Sequence, residues 1–107
     1  MPSKKHDQGK PPVYSLLEYF PDALIEVAKV NAFGATNHGW HTWHTIDNPL
    51  PRYASAQLRH EFAQCMGQPV DEESGLLHQA HVAWNALARL QLMLYQLKEE
   101  IKAHAES

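Results

Sequence analysis

Residues Ser74 to Ala103, SGLLHQAHVAWNALARLQLMLYQLKEEIKA, decide the fold of this 107-residue chain. Leu76, Ala80, Ala83, Leu87, Leu90, Leu94, Leu97 and Ile101 recur at alternating steps of four and three. That spacing is a heptad-like apolar seam, and it predicts one continuous helix. Ser74 suits the amino-terminal cap. The helix is then ~40 Å long at ~1.5 Å per residue. Its neighbours in so short a chain cannot cover that length, so the seam predicts packing against a second copy. Leu77, Trp84, Ala88 and Tyr95 widen the apolar surface on one flank. A wide surface favours a bundle helix over a simple two-stranded coiled coil.

Two more helices are legible upstream. Pro21 and Asp22 suit a helix start, and Leu24, Val27, Ala28 and Asn31 follow at helical spacing. The first helix is expected from Pro21 to Phe33, with Gly34 as its stop. A second is expected from about Arg52 to Met66, ending at Gly67, with Ala54, Leu58, Phe62 and Cys65 as its apolar stripe. Residues 34–51 show no period and read as a long loop, a length at which loops are often functional. Residues 1–13 are polar and proline-rich and read as an amino-terminal arm, with Lys4 and Lys5 solvated. Residues 14–107 are expected to form a single helical domain. No strand signal and no internal repeat is visible. The fold class is all-α: a small helical bundle with a long, oligomerising carboxy-terminal helix.

Composition excludes several roles. The formal net charge is −3, so nothing favours DNA, RNA or an anionic membrane as a partner. No apolar run reaches the ~18 residues of a membrane span, and no signal peptide is visible. Cys65 is the single cysteine. It cannot form an internal disulfide, fits a cytoplasmic setting, and reads as core. Eight histidines are the oddity. Near pH 6 they would turn the charge balance positive and make anion affinity pH-dependent.

Five of those histidines fall at two places. At ~100° per residue His78, His81 and Asn85 lie within ~60° of one another, almost opposite the leucine seam. Arg89 lies near the same face. Three polar residues there are most simply the wet side of an amphipathic helix. Against that, Leu77 and Trp84 narrow the polar strip, and Asp71, Glu72 and Glu73 precede it. His60 and Glu61 on the previous helix could converge with them if the two helices are antiparallel neighbours, and Arg59 sits beside them. Histidines with a carboxylate suit zinc, manganese or iron better than magnesium. His78-x-x-His81 lacks the HExxH pattern, so the metal signal is weak. The loop carries His38, Trp40, His41, Trp43 and His44, where a ring could stack on a nucleobase or fold back into the core.

Four stretches resemble one phage-encoded family. They are GKP at Gly9–Pro11, ALIEVAKVNAFGA from Ala23 to Ala35, LRH at Leu58–His60, and DEESGLLHQAHVAWNAL from Asp71 to Leu87. The family is the dATP/dGTP diphosphohydrolase amino-terminal domain, often linked to the MazG-like all-α nucleotide pyrophosphohydrolases. The resemblance implies a helical bundle that binds nucleotides at a dimer or tetramer interface. It also implies magnesium held by EExxE and ExxD motifs. This chain carries neither motif; the His78-x-x-His81 pair stands where ExxD is expected. Its loop TNHGWHTW also departs from the family, with His38 where tyrosine is usual and Trp43 in the matching place.

Three functions compete. In the first, the chain cleaves a purine nucleoside triphosphate to release pyrophosphate. Glu26, His60, His78 and His81 would be the catalytic set, and Asp71, Glu73, His78 and His81 would hold magnesium, manganese or zinc. Lys29 or Arg59 would neutralise phosphate charge. In the second, a cofactor-free protein sequesters a nucleotide or nucleotide-derived signal. Trp40 or Trp43 would stack on the base, Asn85 would read it, and Lys10, Lys29, Arg59 and the histidines would grip phosphate. The third is a helical protein-interaction module. The expected partners are a small nucleotide-type molecule and a second copy of the chain, in the cytoplasm (the host's, if phage-encoded).

Overall fold

The computed structural model describes residues 9–106. Lys4, Lys5 and most of the expected arm lie outside them; Lys10 is exposed. The described chain is all-α: α1 (Tyr14–Tyr19), α2 (Pro21–His38), α3 (Pro49–Cys65) and α4 (His78–Glu106). The only β feature among these residues is an isolated antiparallel bridge between Val70 and Leu77. No helix is long and apolar enough to cross a membrane.

Boundaries differ from the sequence expectations in instructive ways. The short α1 was not expected; it packs on α2 alone among the helices. Gly34 does not stop α2, because a lone glycine costs a helix only ~1 kcal/mol and can be absorbed. The helix stops at Gly39, whose φ of 88° and ψ of 162° leave the helical region. The expected loop of 34–51 therefore shrinks to 39–48. Pro49, not Arg52, opens α3. At its far end Gly67 takes φ 81°, and Gln68 N–H donates to Ala63 O while Gly67 N–H donates to Gln64 O. That is the Schellman closure expected of a terminal glycine. Ser74 does not cap α4, which begins at His78. Cys65, expected in the core, is exposed.

Gly39 makes the first prediction. A side chain there has room, since the nearest atom to an added Cβ is Thr42 Oγ1 at 3.8 Å. The obstacle is the backbone region, which is nearly closed to other residues and costs of order 1–3 kcal/mol. Gly39→Ala is expected to lower stability by about that amount in chemical denaturation. An unchanged midpoint would show that the turn relaxes freely.

α3 and α4 are antiparallel neighbours, because Gln64 meets Gln79, His60 meets His78, and Gln57 meets Arg89. The face that α4 buries is His78, His81, Asn85, Ala88 and Leu92, spaced three and four apart. The polar strip, read from sequence as the wet side, is the packed side. Leu87 and Leu90 are each 53% exposed, and Leu94, Leu97 and Ile101 are open as well. On α3, Ala63 is buried while the expected stripe residues Leu58 and Phe62 face outward. The Cα radius of gyration is 17.1 Å, against ~13 Å for a compact domain of this length. A single chain thus buries His78 and His81 and leaves the seam leucines from Leu87 to Leu97 largely uncovered.

Candidate histidine-lined nucleotide site

A cavity of about 620 Å³ opens between the end of α2, the 39–46 loop, α3, the Asp71 turn and α4. Trp40, Trp43, Arg59, His60, Asp71, Glu73, His81 and Asn85 all line it. His78 lies behind this wall, with its Nδ1 2.8 Å from Nδ1 of His60. Glu26 and Lys29 are not in the wall; they pair with each other on α2 at 2.7 Å. Lys10 does not line it either.

The turn after α3 builds one side. Ser74 N–H donates to Asp71 Oδ2 at 2.8 Å, and Asp71 N–H donates to Leu76 O. These bonds hold the carboxylate 3.7 Å from His81 Nε2. Ser74 Oγ accepts from Leu76 N–H and lies 2.7 Å from the same nitrogen. One lone pair is so used, and the hydroxyl proton can point at Nε2 or at the Asp71 carboxylate. Ser74 is thus a positioning residue that sequence reading took for a helix cap. The D-x-x-S spacing, which allows a side-chain-closed turn, was the available signal.

Imidazoles make up the centre. The rings of His60 and His81 stack at 4.3 Å with an interplanar angle of 8°. Phe33 meets His81 edge-on at 6.1 Å. Burial, then the nearby His81, push the His60 ring down from 6.5 to about 4. Burial likewise lowers His81, against the pull of Asp71. Burial alone would raise the Asp71 carboxyl, but hydrogen bonds from Ser74 and the facing histidines hold it below its usual value. At pH 7 the cluster is therefore two uncharged rings beside one carboxylate.

This arrangement predicts acid sensitivity. An unfolded histidine takes its proton near 6.5, while folded His60 waits until about 4. Between those values the unfolded chain binds protons that the fold refuses, so stability falls as pH drops. His81 acts in the same direction. Protonation of Asp71, lowered in the fold, removes more stability further down. Because His60 is part-exposed, the loss is discounted to on the order of 1–2 kcal/mol. Thermal melts in chelator-containing buffer should shift down by at least ~5 °C between pH 7 and pH 4.5. A flat profile would show the rings to be solvated.

On the aromatic side, Trp43 packs against Trp84 at 6.3 Å and lies nearly parallel to Tyr95. Tyr53 donates its hydroxyl to Trp43 O at 2.6 Å. Burial raises the Tyr53 hydroxyl pKa, which keeps it a donor. Trp43 is therefore fixed in a cluster, whereas Trp40 is 60% exposed at the cavity mouth. Asn85 is only 4% exposed, and its amide donates to His81 O at 2.8 Å. Its Oδ1 is buried with no hydrogen-bond partner among the described residues. An orphaned buried acceptor costs ~1–3 kcal/mol.

Magnesium takes six hard oxygen ligands. The wall offers Asp71 and Glu73 as carboxylates among several imidazoles. That donor set does not fit magnesium.

Fold and site together define an all-α domain with a histidine-lined interhelical cavity. The chain belongs to the family described as dATP/dGTP diphosphohydrolase, N-terminal, whose sequence model matches residues 1–102. No curated protein and no solved structure shows significant similarity to it.

Proposed function

We propose that the domain binds a purine nucleoside triphosphate in this cavity and serves its cleavage to a monophosphate and pyrophosphate. The observation that carries the reading is the orphaned Oδ1 of Asn85 in a wall that also holds Trp40 and Arg59. A buried acceptor without a partner suits a ligand donor, and both purines carry one on an exocyclic or ring nitrogen. Trp40 supplies an open ring face for stacking, an interaction worth ~1–3 kcal/mol per base. Arg59 supplies a planar cation for phosphate oxygens. The family description supports a nucleotide diphosphohydrolase role. In the cleavage, water attacks the α-phosphorus, the α–β anhydride bond breaks and pyrophosphate leaves. The water proton needs an acceptor, and His81, uncharged at neutral pH, lines the same wall.

A second reading is retention of the nucleotide without cleavage. The scarcity of carboxylates in the wall favours it, since phosphoryl chemistry generally calls for clustered oxygen ligands to a metal. We also propose that the working form is a homo-oligomer. Its support is the uncovered leucine seam and an apolar groove of about 500 Å³ between α2 and α4, floored by Leu24, Val27, Leu87, Leu90 and Leu94.

Incubation with a panel of nucleoside triphosphates and divalent metals tests the reading. Pyrophosphate release supports cleavage. Recovery of intact nucleotide from heat-denatured protein supports retention. Neither result would reject both and leave the interaction module.

A further inference from the structure

We propose that His60, His78 and Asp71 form a binding site for a zinc-class divalent transition metal. The geometry is independent of any nucleotide. One donor atom from each of the three residues lies within 4.8 Å of the other two. The ligands come from three segments: His60 from α3, His78 from α4 and Asp71 from the turn between them. The two Nδ1 atoms of His60 and His78 face each other at 2.8 Å, a gap that holds one proton. Ligand nitrogens around a tetrahedral zinc stand ~3.3 Å apart, as follows from Zn–N bonds of ~2.0–2.1 Å. An opening of about half an ångström, with each ring carrying its proton on Nε2, replaces the shared proton by a metal.

The surroundings are those of a prepared site. His78 is buried and both histidines stand on packed helices. The His81 ring stacks on His60 and fixes its plane. Ser74 orients Asp71 through its backbone N–H, the kind of supporting bond that metal ligands need. Two imidazoles with one carboxylate select a borderline ion over magnesium or calcium. Three protein ligands leave a coordination position open, as in sites that carry a water or a substrate oxygen. Because His60 and Asp71 also line the cavity, that position lies on its side.

Titration of the full chain with Zn²⁺, followed by calorimetry and by competition with a chromophoric chelator, tests the site. One ion per chain at micromolar affinity or tighter is expected, with no heat from Mg²⁺. Co²⁺ should give the visible absorption of a low-coordinate site. His78→Ala and the near-isosteric Asp71→Asn should each weaken Zn²⁺ by more than ~100-fold, beyond the ~10–100-fold typical of supporting residues. Circular dichroism checks that they fold. His44→Ala, a loop histidine outside the cavity wall, should bind as the parent does. Failure of Zn²⁺ to bind, equal binding of Mg²⁺, or full binding by both folded ligand variants would each overturn the proposal. Nucleotide binding measured in excess chelator reads the proposed function separately, so either idea can fail alone.

Discussion

Glutamate at Leu90 and Leu97 together is expected to reduce the protein to a monomer with a much lower melting temperature. Both side chains lie in the uncovered seam of α4, each half or more exposed in the single chain. Burying a leucine contributes ~1.5–3 kcal/mol. A two-fold interface uses each position twice. Each side chain is already about half covered, so two positions carry on the order of 3 kcal/mol at the low end, a weakening of roughly 100-fold. The charge of buried glutamates adds to that. Sedimentation velocity at micromolar concentration reads the change directly. If parent and variant sediment alike as oligomers, the seam is not the interface; if the parent is already a monomer, no interface exists to break. Secondary structure should survive better in α4's first half, where His78 to Leu92 pack on α3, than in its second half, which is exposed beyond Leu92.

Loss of the Arg59 guanidinium is expected to cost the most nucleotide affinity of any single cation in the chain. Hydrogen bonds to charged groups are worth ~1.5–3 kcal/mol, so Arg59→Ala should weaken purine triphosphate binding by about 10–100-fold. Arg59→Lys should recover only part, because a point charge does not reproduce a planar fork. Lys10→Ala and Lys29→Ala should change affinity less than ~2-fold on the same physical ground that separates them in space. Lys29 is held by Glu26, and neither lysine lines the cavity. Equilibrium fluorescence of Trp40 and Trp43 on nucleotide titration measures all four variants. Equal losses across them would point to diffuse charge attraction and would sink the cavity as the site.

Legibility was uneven, for physical reasons. Helix α4 was plain from its period, since a 3.5-residue repeat sustained over so many residues fits no strand. Gly67 was readable because a stop glycine acts locally. Gly34 misled because a glycine inside a helix costs too little to break it, and α1 was missed because six residues give no measurable period. In the site, the closeness of His60 to the Asp71–His81 stretch followed from reading the two helices as antiparallel neighbours in sequence. Ser74 was misassigned because its oxygen closes a turn rather than a helix, a choice that depends on where Asp71 already sits. Glu26 and Lys29 could be placed on a helix but not on a cavity, since nothing local says which side of α2 faces α4.

The sequence by itself determined an all-α chain with a long seam helix, and it concentrated histidine, carboxylate and amide on one strip of that helix. Local spacing suffices for that, because helical periodicity is written in the chain. Only the tertiary structure decided which strip turns inward. Hydrophobic content predicts that leucines are buried, but not within which molecule. Here α3 meets α4 through His60, which lies against His78 and His81, while Ser74 meets the far nitrogen of His81. The seam leucines from Leu87 to Leu97 are left exposed on the single chain.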